Sequence, residues 1–187
     1  FDYIILSPGI DSNKCKLKKF IKKNYQKVIT ELDVFNLNYP KNVKITITGT
    51  NGKSTTAKLI YDIFKKHKYD VRLVGNIGKP ILNEKNIKNS TLFVIEASSY
   101  QLDYSQHFNS NYSIILNISP DHLERHGTIN KYAKAKFKLV TNQSKDDVAV
   151  VDNHPLLKKM AKKYKVKSRI KFISIKNYTE IKKYINN

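Results

Sequence analysis

Apolar runs of strand length alternate with amphipathic runs of helix length along the whole chain. Phe1 to Leu6 is largely apolar and stops at Ser7-Pro8-Gly9, which predicts a buried strand ending in a turn. Leu17, Phe20 and Ile21 recur at helical spacing among lysines, Val28 and Ile29 suit a short strand, and Leu32 and Phe35 suit a brief helical turn. The stretch from Asn36 to Asn42, with Pro40 inside it, reads as a linker. Beyond it, a strand from Val43 to Thr48 runs through a glycine turn into an uninterrupted amphipathic helix from about Lys53 to His67. Further strands are predicted at 71–74, 92–97, 113–117, 148–151 and 170–175, with helices near 131–140, 155–163 and 179–185. This order predicts an α/β fold, a mostly parallel sheet flanked by helices, with ligands at the carboxyl ends of the strands.

Composition narrows the function classes. The 187 residues hold 35 Lys and Arg against 15 Asp and Glu, a formal charge of +20. Only Arg72, Arg125 and Arg169 are arginines, so the excess is lysine spread over many segments. A phosphate-reading or base-reading face favours planar, bidentate arginine, so no nucleic-acid partner is expected. A basic binding module remains the alternative class that would explain the charge. Cys15 is the single cysteine, and no Cys/His cluster has zinc spacing, which excludes an internal disulfide and a zinc finger. No run approaches the roughly 18 apolar residues of a membrane span, and no signal-peptide pattern opens the chain, so a cytoplasmic protein without a membrane partner is expected. Phe1 already lies inside a strand-like run, so a fragment is expected.

The sharpest chemical signal is Thr48-Gly49-Thr50-Asn51-Gly52-Lys53-Ser54-Thr55 between a β-branched strand and a long helix. Glycines let backbone N–H groups approach phosphate oxygens, the helix start adds positive potential, Lys53 neutralises charge and Ser54 suits Mg²⁺. Ile47 stands where the general pattern G-x-x-x-x-G-K-[ST] has its first glycine, so an ordinary glycine turn competes with this reading. Glu96 ends the strand from Leu92, where a carboxylate can reach a nucleotide-bound metal or merely favour a helix start. Asp121 and His122 follow the next strand beside Pro120, in a cleft or a surface turn. Gly75-Asn76-Ile77-Gly78 reads equally as a turn and as a site, and His126 reads as a surface histidine.

Taken together, Gly49 to Ser54, the string Glu96-Ala97-Ser98-Ser99-Tyr100-Gln101-Leu102, the segment Asn117 to Arg125, Tyr132 to Lys136, Gly75 to Gly78 and Ser7 to Ile10 resemble the Mur ligase family, in its D-glutamate-adding branch. These are ATP-dependent amino-acid-adding enzymes of peptidoglycan precursor synthesis, related to folylpolyglutamate synthases, which share the phosphate loop. The resemblance implies the P-loop-type mononucleotide-binding central domain of a Mur ligase over residues 39–187. It makes residues 1–38 the end of an N-terminal UDP-binding domain, with the C-terminal domain absent and the fragment inactive alone. It further implies a monomer that uses ATP and two Mg²⁺ ions to join D-glutamate to UDP-N-acetylmuramoyl-L-alanine. Gly49, Thr50, Asn51, Gly52, Lys53, Ser54 and Thr55 would bind ATP; Ser54, Glu96, His122 and Lys136 would bind metal; Lys53, His122 and Lys136 would be catalytic. Lys136, with Lys134 and Lys138 as its neighbours in register, is singled out only by the resemblance, as a lysine turned into a carbamate by CO₂. Gly9, Asn76 and Ser98 would contact the acceptor. Another Mur ligase or a folylpolyglutamate synthase-like ligase is the alternative enzyme.

Overall fold

The computed structural model describes residues 1–174, so the helix predicted at 179–185 lies outside the described residues. The chain opens with strand β1 (Ile4–Ile5), helix α1 (Lys18–Lys23), strand β2 (Val28–Ile29) and helix α2 (Glu31–Asn38). Next come β3 (Lys44–Thr48), α3 (Lys53–Lys66), β4 (Val71–Gly75), β5 (Leu92–Glu96), α4 (Ser99–Tyr104) and β6 (Tyr112–Ile115). The rest comprises α5 (Leu123–His126), α6 (Ile129–Thr141), β7 (Val148–Asp152), α7 (Pro155–Lys163) and β8 (Arg169–Ile173). None of the described helices is long and apolar enough to cross a membrane.

β3 to β8 form one parallel sheet in the order β4-β5-β3-β6-β7-β8, and β1 pairs with β2 in a separate two-stranded parallel sheet. From β3 the chain goes out to β4 at the sheet edge, returns to β5 between them, and then crosses to β6 on the other side of β3. The crevice at the carboxyl end of β3 is therefore a topological switch point.

The alternation of side chains along the central strands assigns the faces. Ile45, Ile47, Leu92 and Val94 point to α3 and pack against Ala57, Ile60 and Phe64. Phe93 and Ile95 point the other way, into a core with Leu32 and Phe35 of α2 and Leu102 of α4. On that face, farther along the sheet, Ile115, Ala149 and Val151 meet Tyr132 and Phe137 of α6 and Leu157 and Met160 of α7. Phe35 is fully buried edge-on against Phe93, so truncating it to alanine costs about 3–5 kcal/mol.

The stretch from Asn36 was expected to be a linker, but α2 continues through Asn38. Its start explains the extra length: Asp33 accepts from the backbone N–H of Thr30 at 2.8 Å, closing a capping box. The same buried carboxylate accepts from Ser105 Oγ and from the N–H groups of Gln106, His107 and Phe108 at 2.7–3.0 Å. Asp33 thereby fixes α2 to the loop after α4. The N-terminal sheet sits against α4 as well, through Leu6, Ile21 and Val28 around Tyr104.

Candidate active site

The phosphate loop connects β3 to α3 at the switch point. Gly52 caps α3 with φ +81°, a left-handed conformation open to glycine at little cost. The first N–H groups of α3 have no partner within the helix and open onto the crevice. Asn117, just past β6, holds the loop: its Oδ1 accepts from the N–H groups of Thr50 and Asn51 at 3.1 and 2.8 Å, and its Nδ2 donates to Asn51 O at 3.0 Å. Thr50 Oγ1 accepts from Ser119 N at 3.0 Å and lies 3.3 Å from the Tyr132 hydroxyl. Lys53 Nζ folds back onto Thr50 O at 2.8 Å, and Thr55 is exposed in the first turn of α3. Sequence reading had placed Asn117 only within a motif, and Tyr132 likewise. Their support of the loop depends on strand pairing and helix packing, to which one signal pointed: a polar residue at the end of a strand neighbouring the loop.

Glu96 joins two parts of the site. It is 1% exposed, accepts from Ser54 Oγ at 2.7 Å through Oε2, and accepts from Asn76 Nδ2 at 2.8 Å through Oε1. Asn76 can reach it because Gly75 pairs in register with Glu96 where β4 runs beside β5; a Cβ on Gly75 would collide with the Glu96 carbonyl oxygen. A hydroxyl and a carboxylate in contact at a phosphate loop form an oxygen donor set that fits Mg²⁺, which takes few protein ligands and completes its shell with phosphate and water. The described residues contain no cluster of three or more His, Cys, Asp or Glu able to cage a metal ion.

Lys136, in the middle of α6, is buried beneath the loop. Its Nζ donates to Gly49 O at 2.8 Å and lies 4.6 Å from the centre of the Tyr132 ring. Burial, and secondarily the Lys53 cation, lower its pKa from 10.5 to about 7, against the pull of Asp121 and Glu96. Lys134 is exposed, and Lys138 donates to Asp103 O of α4. The structure thus separates Lys136 from its neighbours in register. His122 precedes α5 with φ +51°, 3.4 Å from Asp121 and 3.7 Å from Glu124, and its ring lies near those of Tyr100 and Tyr132.

His126 does not behave as the surface residue expected. It is 6% exposed, its Nε2 lies 3.1 Å from Ser99 Oγ, and its ring stacks on Tyr100. The cause is α5, a single turn too short to show a hydrophobic period, which folds His126 inward between α4 and α6. Burial lowers its pKa below the ordinary histidine value.

Next to Asn76, which does not line it, lies a cavity of about 490 Å³ walled by Leu6, Ser7 and Pro8 from the N-terminal segment, Gly75 at the end of β4, Ile81 beyond it, and Gln101 of α4. Gly9 and Ser98 do not line it: Gly9 has open space around it, and Ser98 Oγ caps α4 by accepting from Gln101 N at 3.2 Å. The described geometry therefore joins the phosphate loop, Glu96, Asn76 and Lys136 into one crevice, with His122 at its edge.

Residues 47–186 match the family model described as the Mur ligase middle domain. The chain belongs to the Mur ligase family. Among curated Mur ligases it is 49% identical over 107 residues to the UDP-N-acetylmuramoylalanine–D-glutamate ligase of Phenylobacterium zucineum, covering 57% of this chain and 23% of that one. To the enzyme of the same name from Bacteroides thetaiotaomicron it is 37% identical over 171 residues, covering 90% of this chain and 38% of the other. The chain spans well under half the length of these relatives. Solved Mur ligases share the fold. The UDP-N-acetylmuramate:L-alanyl-gamma-D-glutamyl-meso-diaminopimelate ligase from Neisseria meningitides superposes with a TM-score of 0.62 at 15% identity, over 91% of this chain and 58% of that one. The MurF ligase of Thermotoga maritima, solved with ADP, does so with a TM-score of 0.55 at 18% identity, over 91% and 50%.

Proposed function

We propose that the full-length protein is an ADP-forming ligase that adds D-glutamate to UDP-N-acetylmuramoyl-L-alanine at the expense of ATP. The observation that carries this reading is the reach of Glu96 to both Ser54 of the phosphate loop and Asn76, the residue that follows Gly75 in the wall of the cavity beside the N-terminal segment. The names of the curated relatives supply the acceptor and the amino acid. Residues 1–38 then end a UDP-binding domain and 39–187 belong to the ATPase domain, with α2 of the first packed on the sheet of the second.

In this reading the acceptor carboxylate attacks the γ-phosphorus of ATP. A new O–P bond forms, the bond to the β–γ bridging oxygen breaks, and ADP leaves. The amine of D-glutamate then attacks the acyl carbon and loses a proton, the carbon–oxygen bond to phosphate breaks, and orthophosphate leaves. Lys53 exchanges Thr50 O for the β- and γ-phosphates, and the N–H groups of Lys53, Ser54 and Thr55 at the start of α3 line the phosphates, while Asn117 holds those of Thr50 and Asn51. Ser54 and Glu96 would hold one Mg²⁺, and His122 with a carbamate on Lys136 a second. When bound, these ions neutralise charge on the transferring oxygens.

As a cation Lys136 would repel a metal. With a pKa of about 7, a large fraction of the amine is neutral at neutral pH and able to add to CO₂, forming an N–C bond and releasing a proton. The product is an anion with two oxygens in place of a cation. Asn76, Gly9 and Ser98 are assigned to the acceptor side.

The test is D-glutamate-dependent phosphate release by the full-length protein, offered UDP-N-acetylmuramoyl-L-alanine, UDP-N-acetylmuramate or a reduced folate in separate reactions. Release with the first acceptor alone is expected. Release with another acceptor would transfer the protein to a sister ligase, and release with none would overturn the ligase reading.

A further inference from the structure

Behind the crevice, between the N-terminal segment and helices α4, α5 and α6, lies a second, polar cavity of about 290 Å³. Its walls carry four basic residues, Arg125, Lys131, Lys134 and Lys138; Asp103 is the single acid among the described residues that line it. None of the four cations forms an ion pair among the described residues. Two of them are held in place by neutral groups. Arg125 donates to Ile10 O at 2.7 Å, with its guanidinium 5.2 Å from the centre of the Tyr100 ring, and Lys138 donates to the Tyr25 hydroxyl at 3.3 Å and to Asp103 O. These contacts fix the positions of the charges without cancelling them. The buried ring of His126 closes the inner wall.

We propose that this cavity binds a phosphate-sized oxyanion. Four cations lining one cavity with a single carboxylate repel one another, and an anion with several acceptor oxygens relieves that repulsion while taking charge-assisted hydrogen bonds. The position gives the ligand a consequence. Asn13 and Tyr25 on one wall belong to the N-terminal segment, and the other walls belong to α5 and α6, next to His122 and on the helix of Lys136. An anion there ties the N-terminal segment to those two helices. The inference does not depend on the ligase reading, because it uses none of the residues that reading assigns. Two sources supply the chemistry: free orthophosphate and the diphosphate of a nucleotide.

The experiment titrates the full-length protein carrying Lys53→Ala, which disables the phosphate loop, with orthophosphate and separately with ADP by calorimetry at constant ionic strength. Saturable binding is expected. Adding Lys131→Ala with Lys134→Ala should weaken it about tenfold or more, whereas adding Lys65→Ala with Lys66→Ala, an equal loss of charge on α3, should change it by less than about twofold. Orthophosphate binding that follows this pattern assigns the free ion, and the same pattern with ADP alone assigns the nucleotide. No saturable binding of either, or equal weakening by both lysine pairs, would overturn the proposal.

Discussion

Two lysines are buried at opposite ends of the same strand, in different surroundings. Lys44 opens β3 and is 2% exposed; its Nζ donates to Tyr39 O and Asn42 O at 2.8 and 3.1 Å, beside the Phe35 ring. Lys136 lies under the far end of β3, equally buried, bonded to Gly49 O and set against the Tyr132 ring. Burial lowers both pKa values, to about 8 for Lys44 and about 7 for Lys136. What differs is the company. Lys44 has two carbonyls and the attraction of Asp147, which suits a clamp between β3 and the segment after α2. Lys136 has a second cation, Lys53, beside it and the carboxylates Glu96 and Asp121 within range. That setting suits an amine that changes its charge. Burial alone does not distinguish the two lysines; the charges at the carboxyl ends of the strands do.

The comparison breaks most sharply on activity. In the full-length protein Lys136→Ala should lower kcat by about 10²–10³-fold, because a group poised for developing charge is lost, whereas Lys44→Met should leave kcat nearly unchanged. Steady-state assays of both variants check this; equal losses would make Lys136 a second clamp. Next in size is Asn117→Ala, which removes three hydrogen bonds from the phosphate loop and should raise the KM for ATP about tenfold, with the fold intact by circular dichroism.

Stability should separate the two lysines in the opposite order. Lys44→Met leaves the Tyr39 and Asn42 carbonyls without their partner and should cost about 1–3 kcal/mol in urea unfolding. The pH dependence of stability separates the two lysines as well. Both folded pKa values lie below the ordinary 10.5, so the unfolded chain binds more protons in between, and stability rises with pH across each window. The rise should begin near pH 7 for Lys136 and near pH 8 for Lys44, continuing in each case toward 10.5. Urea midpoints measured against pH should show the earlier onset missing from Lys136→Met and the later one missing from Lys44→Met.

The sequence carried much of the functional end and less of the clamp. The glycines, Lys53 and Ser54 stand out because a phosphate loop needs those residue types at fixed spacing between a strand and a helix, all within one short stretch of chain. Glu96 was legible as the carboxylate that ends an apolar strand. Lys136 was legible only by resemblance, since its burial depends on how α6 packs beneath the loop. Asn117 escaped as a loop support because its partners are 66 and 67 residues away. Lys44 looked like a strand residue among many lysines, and nothing local says that α2 covers its side of β3. The short helices α4 and α5 lack the length for a periodic signal, and His126 was misread with them.

The most direct measurement is ¹³C NMR of the full-length protein equilibrated with ¹³C-labelled bicarbonate, with Lys136→Ala and Lys44→Met in parallel. A carbamate resonance present in the wild-type protein and in Lys44→Met, and absent from Lys136→Ala, is the predicted result. No resonance in the wild type, or an equal one in Lys136→Ala, would contradict the assignment of Lys136 as the reactive amine of the site.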